Sequence, residues 1–155
     1  MKQCDQILSI VSQEVYTDSS KGGATMGAHS RHILDRFHCF FAGLPKASID
    51  YDARKRDKEV EQNLSEARFA IATVSRSIEQ LGAQPTELEL IAVKEAVVPS
   101  APAVEISSTL ERELMGLITH SIHHLAIIVM IAKSFGYQID DDFGKAPSTI
   151  AFEQA

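Results

Sequence analysis

Apolar residues recur every three or four positions in four stretches of the chain, which predicts four amphipathic helices. The first predicted helix runs from Asp5 to Tyr16, and the second runs from Gly27 to Ala42. The third carries the most regular pattern, an alternation of four-residue and three-residue steps that is typical of an antiparallel helical bundle. Its apolar positions are Val60, Leu64, Ala67, Ile71, Val74, Ile78 and Leu81.

The fourth predicted helix follows a capping-box pattern at residues 108–111 and runs to Phe135. Its segment from Leu114 to Ala132 is about as long as a membrane span. The same segment contains hydroxyl side chains and three histidines, which are costly in lipid. We therefore interpret it as a buried helix of the bundle.

The region between the third and fourth helices predicts a small amount of strand. Leu88 to Val93 and Ala103 to Ile106 are expected to pair as a short β-hairpin around Pro99 and Pro102. The chain of 155 residues has the size of one domain and shows no repeat or linker. The prediction is a single all-α domain over residues 1–155, a four-helix bundle with a β-hairpin before the last helix.

Charge and cysteine content narrow the class of partner and the compartment. The chain carries 15 Lys and Arg against 21 Asp and Glu, a net charge of −6, which disfavours nucleic acid and anionic membrane surfaces as partners. Cys4 and Cys39 are too few for a disulfide framework and fit a reducing compartment. The first residues do not have the pattern of a signal peptide. We expect a cytoplasmic protein.

The histidines lie in two short segments that fall on two predicted helices. They are His29, His32 and His38 on the second helix, and His120, His123 and His124 on the fourth. His120 and His124 are one turn apart, about 40° on a helical wheel, and such a pair can hold one metal ion. Histidines of a neighbouring helix can converge on the same ion. The alternative is a set of buried or interface histidines, and the wheel places His29 about as near the apolar face as His32. His38 falls on another side of the helix and is expected at the surface or in an interface.

Several catalytic motifs are absent from the sequence. Ser121 follows His120, so the segment is not the zinc-protease motif, in which a glutamate follows the first histidine. No glycine-rich phosphate loop is present, and the site motifs contain no arranged serine or cysteine nucleophile. Cys39 lies on a helix face away from His32, which predicts a packed rather than a reactive thiol.

Three motifs resemble those of the DinB-like (YfiT-type) bundle proteins. They are MGAHSRHILDRF at residues 26–37, IDYDARKRD at 49–57 and HSIHH at 120–124. The segment DFGKAPST at 142–149 is similar to the end of one uncharacterised branch of that family. The resemblance extends from the second helix to the tail, and the placement of the histidines is its most specific part.

The resemblance implies a four-helix bundle that binds a divalent metal ion through three histidines. The ion would be zinc or nickel, with iron as a further candidate. Two ligands come from the last helix and correspond to His120 and His124. The ligand from the second helix precedes an apolar-x-Asp-like stretch in the family, which selects His32 before Ile33-Leu34-Asp35. Three histidines leave a coordination position for water or substrate.

Other residues near these motifs are candidates for substrate contact or for orienting the ligands. Asp35, one turn from His32, either orients an imidazole or is a solvated carboxylate. Arg54 or Arg56 either binds an anion at the mouth of the cavity or belongs to a solvated loop. His29 and His123 are further candidates for the same two roles.

The predicted function is that of a metal-dependent enzyme that activates water or a small thiol, hence a hydrolase or a thiol S-transferase acting on a small molecule. The alternative is a non-catalytic, metal-binding, dimeric stress-response bundle protein.

A homodimer is expected because the fourth helix is apolar on nearly every side. Its apolar positions away from His120 are Met115, Ile118, Ile122, Leu125 and Val129. One stripe per helix is enough for a bundle core, so the surplus predicts cover by a second chain, the hairpin or the tail.

Overall fold

A computed structural model describes residues 1–21, 23–83 and 90–155. Within these ranges the chain is mostly helical and contains one small sheet. The helices are α1 (Lys2–Ile10), α2 (Gln13–Thr17), α3 (Met26–Gly43), α4 (Lys58–Gln62), α5 (Leu64–Ala83), α6 (Leu110–Ser134) and α7 (Pro147–Glu153). The strands are β1 (Ser48–Asp50), β2 (Ile91–Glu95) and β3 (Val104–Ser108).

The longer helices pack around a shared apolar core. Helix α3 contacts both α5 and α6, and α1 contacts the same two helices. This set of neighbours fits a helical bundle. The contact between α3 and α6 is the most extensive between helices, and it brings together the two segments that carry the histidines.

Two of the predicted helices are each divided by a polar residue. The expected helix from Asp5 to Tyr16 ends at Ile10, and α2 begins anew after Ser12, whose Oγ accepts a hydrogen bond from the Val15 amide at 3.3 Å. The third predicted helix is interrupted at Asn63, where the backbone is extended. Short polar side chains bind backbone amides and so begin new helices, which hydrophobic spacing does not reveal.

The sheet contains one strand more than the predicted hairpin. Strands β2 and β3 pair antiparallel with Val93 opposite Ile106, and β1 pairs with β2 in parallel. Positions 88 and 89 of the predicted hairpin lie outside the described residues. Strand β1 comes from the segment after α3, where Ile49 and Tyr51 are buried. The all-α prediction therefore omitted this strand, because three residues are too few to show a strand pattern.

Helix α6 is buried along one stripe rather than on all sides. It is long and apolar enough to cross a membrane by length and composition, with a mean hydropathy of 1.8, and about 22% of that segment is buried. Its buried residues are Leu117, Leu125, Ile128, Val129 and Ala132. Leu125 and Val129, which were predicted to lie outside the bundle core, therefore belong to it. Met115 and Ile118 remain more than half exposed, at 62% and 55%.

The segment after α6 folds back onto the bundle. Gly144 has a φ of +76°, and a Cβ at this position would lie 2.7 Å from the Cα of Ala126 on α6. The Tyr137 hydroxyl accepts a hydrogen bond from the Ser12 amide at 3.0 Å. The segment after α6 therefore covers part of the apolar surface of that helix.

Candidate metal centre

Three histidines from two helices meet at the contact between α3 and α6. One ring nitrogen from each of His32, His120 and His124 lies within 4.8 Å of the others. The ring centroid of His32 is 4.8 Å from that of His120 and 4.6 Å from that of His124. This is the set that the sequence resemblance selects, and it could hold one metal ion.

The imidazole ring of His120 presents a buried polar atom to the histidine cluster. Its Nε2 atom is buried and makes no hydrogen bond to any described residue. Burial, together with the neighbouring His124 and Arg36, lowers the pKa of His120 to about 3. A buried polar atom without a partner is costly. A divalent cation would satisfy this nitrogen, so the residues present fit the group that the sequence implies.

His124 is held by a fourth histidine. The Nδ1 atoms of His29 and His124 are 2.9 Å apart, and the tautomers decide which of the two donates. Burial, followed by His32 and His29, lowers the pKa of His124 to about 4. Burial also lowers the pKa of His29 and of His32. These rings are therefore neutral near pH 7, the form of imidazole that binds metal ions.

The two remaining histidines have different positions. His123 is exposed, and its ring centroid lies 5.0 Å from that of His124. His38 lines a separate cavity of about 260 Å³ next to Cys39. His38 is half-buried rather than fully at the surface.

Asp35 is buried, and its carboxylate is hydrogen-bonded to groups other than a histidine ring. It is 2% exposed, so it is not the solvated carboxylate that the sequence also allowed. Its oxygens accept hydrogen bonds from the Arg31 guanidinium at 3.0 Å and from the Arg56 amide at 3.2 Å. Arg31 also pairs with Glu61 at 2.7 Å. These contacts tie α3 to α4 and to the segment before it.

Arg54 and Arg56 are placed differently from each other. Arg54 is half-buried, its Nε atom has no hydrogen-bond partner among the described residues, and its charge lowers the pKa of His32. Arg56 has an exposed side chain and contributes its backbone amide to Asp35.

Sequence reasoning missed two other arginines, Arg36 and Arg112. Both line a cavity of about 660 Å³ that reaches His120 and His123. The missed signal is the four-residue spacing on each helix: Arg36 follows His32 by four positions, and Arg112 precedes His120 by eight. Residues at such intervals share a helix face.

The cysteines offer no nucleophile at the histidines. Cys4 and Cys39 are both free and buried, and burial raises the pKa of each thiol. Cys39 is 6% exposed, which agrees with the prediction of a packed thiol.

Comparisons with known proteins agree with the geometry. A family model described as the DinB family matches residues 2–142, which is most of the chain. Neither the curated proteins nor the solved structures give a significant match. With three histidines gathered where its two histidine-bearing helices meet, the chain belongs to the DinB family.

Proposed function

We propose that this protein is a metal-dependent enzyme that uses His32, His120 and His124 to hold one divalent ion, zinc or nickel or else iron, and that activates water or a small thiol. The observation that carries the proposal is the convergence of three ring nitrogens within 4.8 Å. Three protein ligands are the number found in catalytic zinc sites, which keep one position open.

A divalent ion at this site would supply a Lewis acid that makes a water or thiol nucleophilic near neutral pH. The protein's own contribution is to present neutral imidazoles. His29 fixes the ring of His124, while burial keeps His120 deprotonated. Because Cys4 and Cys39 are buried, the nucleophile would come from solution rather than from the chain. The reaction would thus be a hydrolysis or a thiol S-transfer on a small molecule in the cytoplasm.

The first experiment measures metal content. Untagged protein should contain about one divalent ion per chain, and His32→Ala, His120→Ala and His124→Ala should each lose it. His38→Ala is the matched control, since His38 lines a different cavity. Full occupancy in the His120→Ala/His124→Ala double variant would refute the site.

The second experiment measures catalysis. Metal-loaded protein should accelerate either the reaction of small thiols with model electrophiles or the hydrolysis of activated esters and amides. Turnover should vanish in His120→Ala and in metal-depleted wild type, and it should return when metal is restored to the wild type only.

One observation favours a second candidate, a non-catalytic metal-binding dimeric stress-response protein. Asp35 is the buried carboxylate on the histidine-bearing face of α3, and Arg31 and Arg56 occupy its oxygens. A site without a free general base is less suited to proton transfer. Stoichiometric metal binding without turnover in either assay panel would support this candidate.

A further inference from the structure

A cavity lies beside the metal centre, on the side of α6 that precedes His120. Its volume of about 660 Å³ is within the range of small-molecule sites. His120 and His123 line one end, and Arg36, Arg112 and Gly116 line the rest together with two further α6 residues. A molecule in this cavity would therefore meet the arginines and the metal-centre histidine His120 at the same time.

Among the described residues, the lining of this cavity contains two arginines and no carboxylate. Arg36 is fixed: its guanidinium pairs with Glu95 and lies 3.9 Å from the ring centroid of Tyr51. Glu95 and Glu113 line an adjoining cavity, where Glu113 accepts hydrogen bonds from Tyr51 and Ser108. Arg112 lines this adjoining cavity as well, but both carboxylates have other partners and neither forms an ion pair with it among the described residues.

Arg112 has no carboxylate partner among the described residues and extends toward the histidines. A Cβ at Gly116 would lie 3.6 Å from its Nη1 atom and would meet no other atom of the described residues within 4 Å. The guanidinium therefore reaches the level of Gly116, one helical turn or about 6 Å along the axis from His120. The missing side chain at Gly116 leaves the space between the cation and the histidine open.

We propose that this cavity binds a small carboxylate-bearing molecule, whose carboxylate pairs with Arg112 while its reacting end lies at His120. Arg36, held by Glu95, adds a fixed guanidinium to the wall. Charged hydrogen bonds between guanidinium and carboxylate are short and strong, which suits Arg112 to this role. The inference rests on the proposed function, since it takes the histidine triad as the reacting centre.

The test compares two thiols on cobalt-loaded protein, in which thiol binding to the ion gives an absorbance band. The probes are 3-mercaptopropionate, which carries a carboxylate, and 2-mercaptoethanol, which does not. In Arg112→Gln the affinity for 3-mercaptopropionate should fall about five- to tenfold, while the affinity for 2-mercaptoethanol stays unchanged. For each thiol, the affinity of the variant is divided by that of the wild type, so intrinsic differences between the two thiols cancel. Arg76→Gln, an exposed arginine on α5, is the matched control and should match wild type.

A second variant, Gly116→Leu, should lower the affinity for 3-mercaptopropionate by a similar factor, because the leucine side chain fills the cavity. The cobalt spectrum without thiol should remain that of the wild type. An equal effect of Arg112→Gln on both thiols, or none on either, would overturn the carboxylate site while leaving the metal site standing. Absence of a cobalt spectrum in wild type would overturn the proposed function and this inference together.

Discussion

The Nδ1 atom of His29 lies 2.9 Å from the Nδ1 atom of His124. When His124 donates through Nδ1 in this contact, its Nε2 atom carries the lone pair that a metal ion needs. Hydrogen bonds behind a ligating histidine fix its tautomer and orientation. A histidine that the wheel could not separate from His32 thus has a distinct position, beside the triad rather than in it.

His29→Ala should therefore weaken metal binding without abolishing it. The expected loss in affinity is about 10- to 100-fold, typical for removal of a group that supports a ligand. Metal titration against a competing chelator measures it, with His32→Ala as the comparison that loses stoichiometric binding. If His29→Ala loses all metal and His32→Ala retains it, the assignment of the α3 ligand is reversed.

Gly27→Ala should strongly destabilise the protein. A Cβ at this position would lie 1.9 Å from the Glu61 carbonyl oxygen, so α3 and α4 would have to separate. We expect a loss of about 3 kcal/mol or more in the free energy of unfolding, measured in urea. Gly116→Ala is the control: its Cβ would make only an ordinary contact with Arg112 Nη1 at 3.6 Å, and the change should raise stability by up to about 1 kcal/mol. Equal effects of the two substitutions would contradict the close approach at Gly27.

Asp35→Asn should lower stability because it leaves Arg31 without its buried partner. Asp35 is 2% exposed and bonded to both Arg31 and the Arg56 amide, so a cost of about 2–3 kcal/mol is expected. Asp141→Asn removes an exposed pair with Lys133 and should leave the urea midpoint unchanged. A midpoint for Asp35→Asn equal to that of wild type would show that this pair contributes nothing.

The exposed apolar face of α6 predicts a homodimer. Ile118 is 55% exposed, and Ile118→Glu should convert the dimer to a monomer in light scattering at micromolar concentration. Phe69→Glu is the control, since Phe69 is 66% exposed on α5 rather than on α6. A wild-type protein that scatters as a monomer would rule out this use of the α6 face.

The sequence by itself determined which helices carry the histidines and which of the α6 histidines share a face. His120 and His124 are four residues apart on one helix, so local geometry alone brings them together. The regular apolar seam in residues 60–81 likewise predicts the long helix α5, although Asn63 divides the segment by binding a local amide. Helix α3 begins and ends within one residue of the predicted positions, because Thr25 caps its start and Pro45 follows its end.

Tertiary structure decided what no local pattern encodes. Only the packing of α3 against α6 separates His32 from His29, and only that packing brings Arg36 and Arg112 to one cavity from positions 76 residues apart. Asp35 pairs with Arg31 within its own helix, but only the fold brings the Arg56 amide to it from another segment. The parallel pairing of β1 with β2 joins segments more than 40 residues apart in the sequence. The three residues of β1 are too few for their hydrophobic pattern to predict a strand. Periodicity specifies faces of helices, whereas contacts between distant segments depend on how those faces pack.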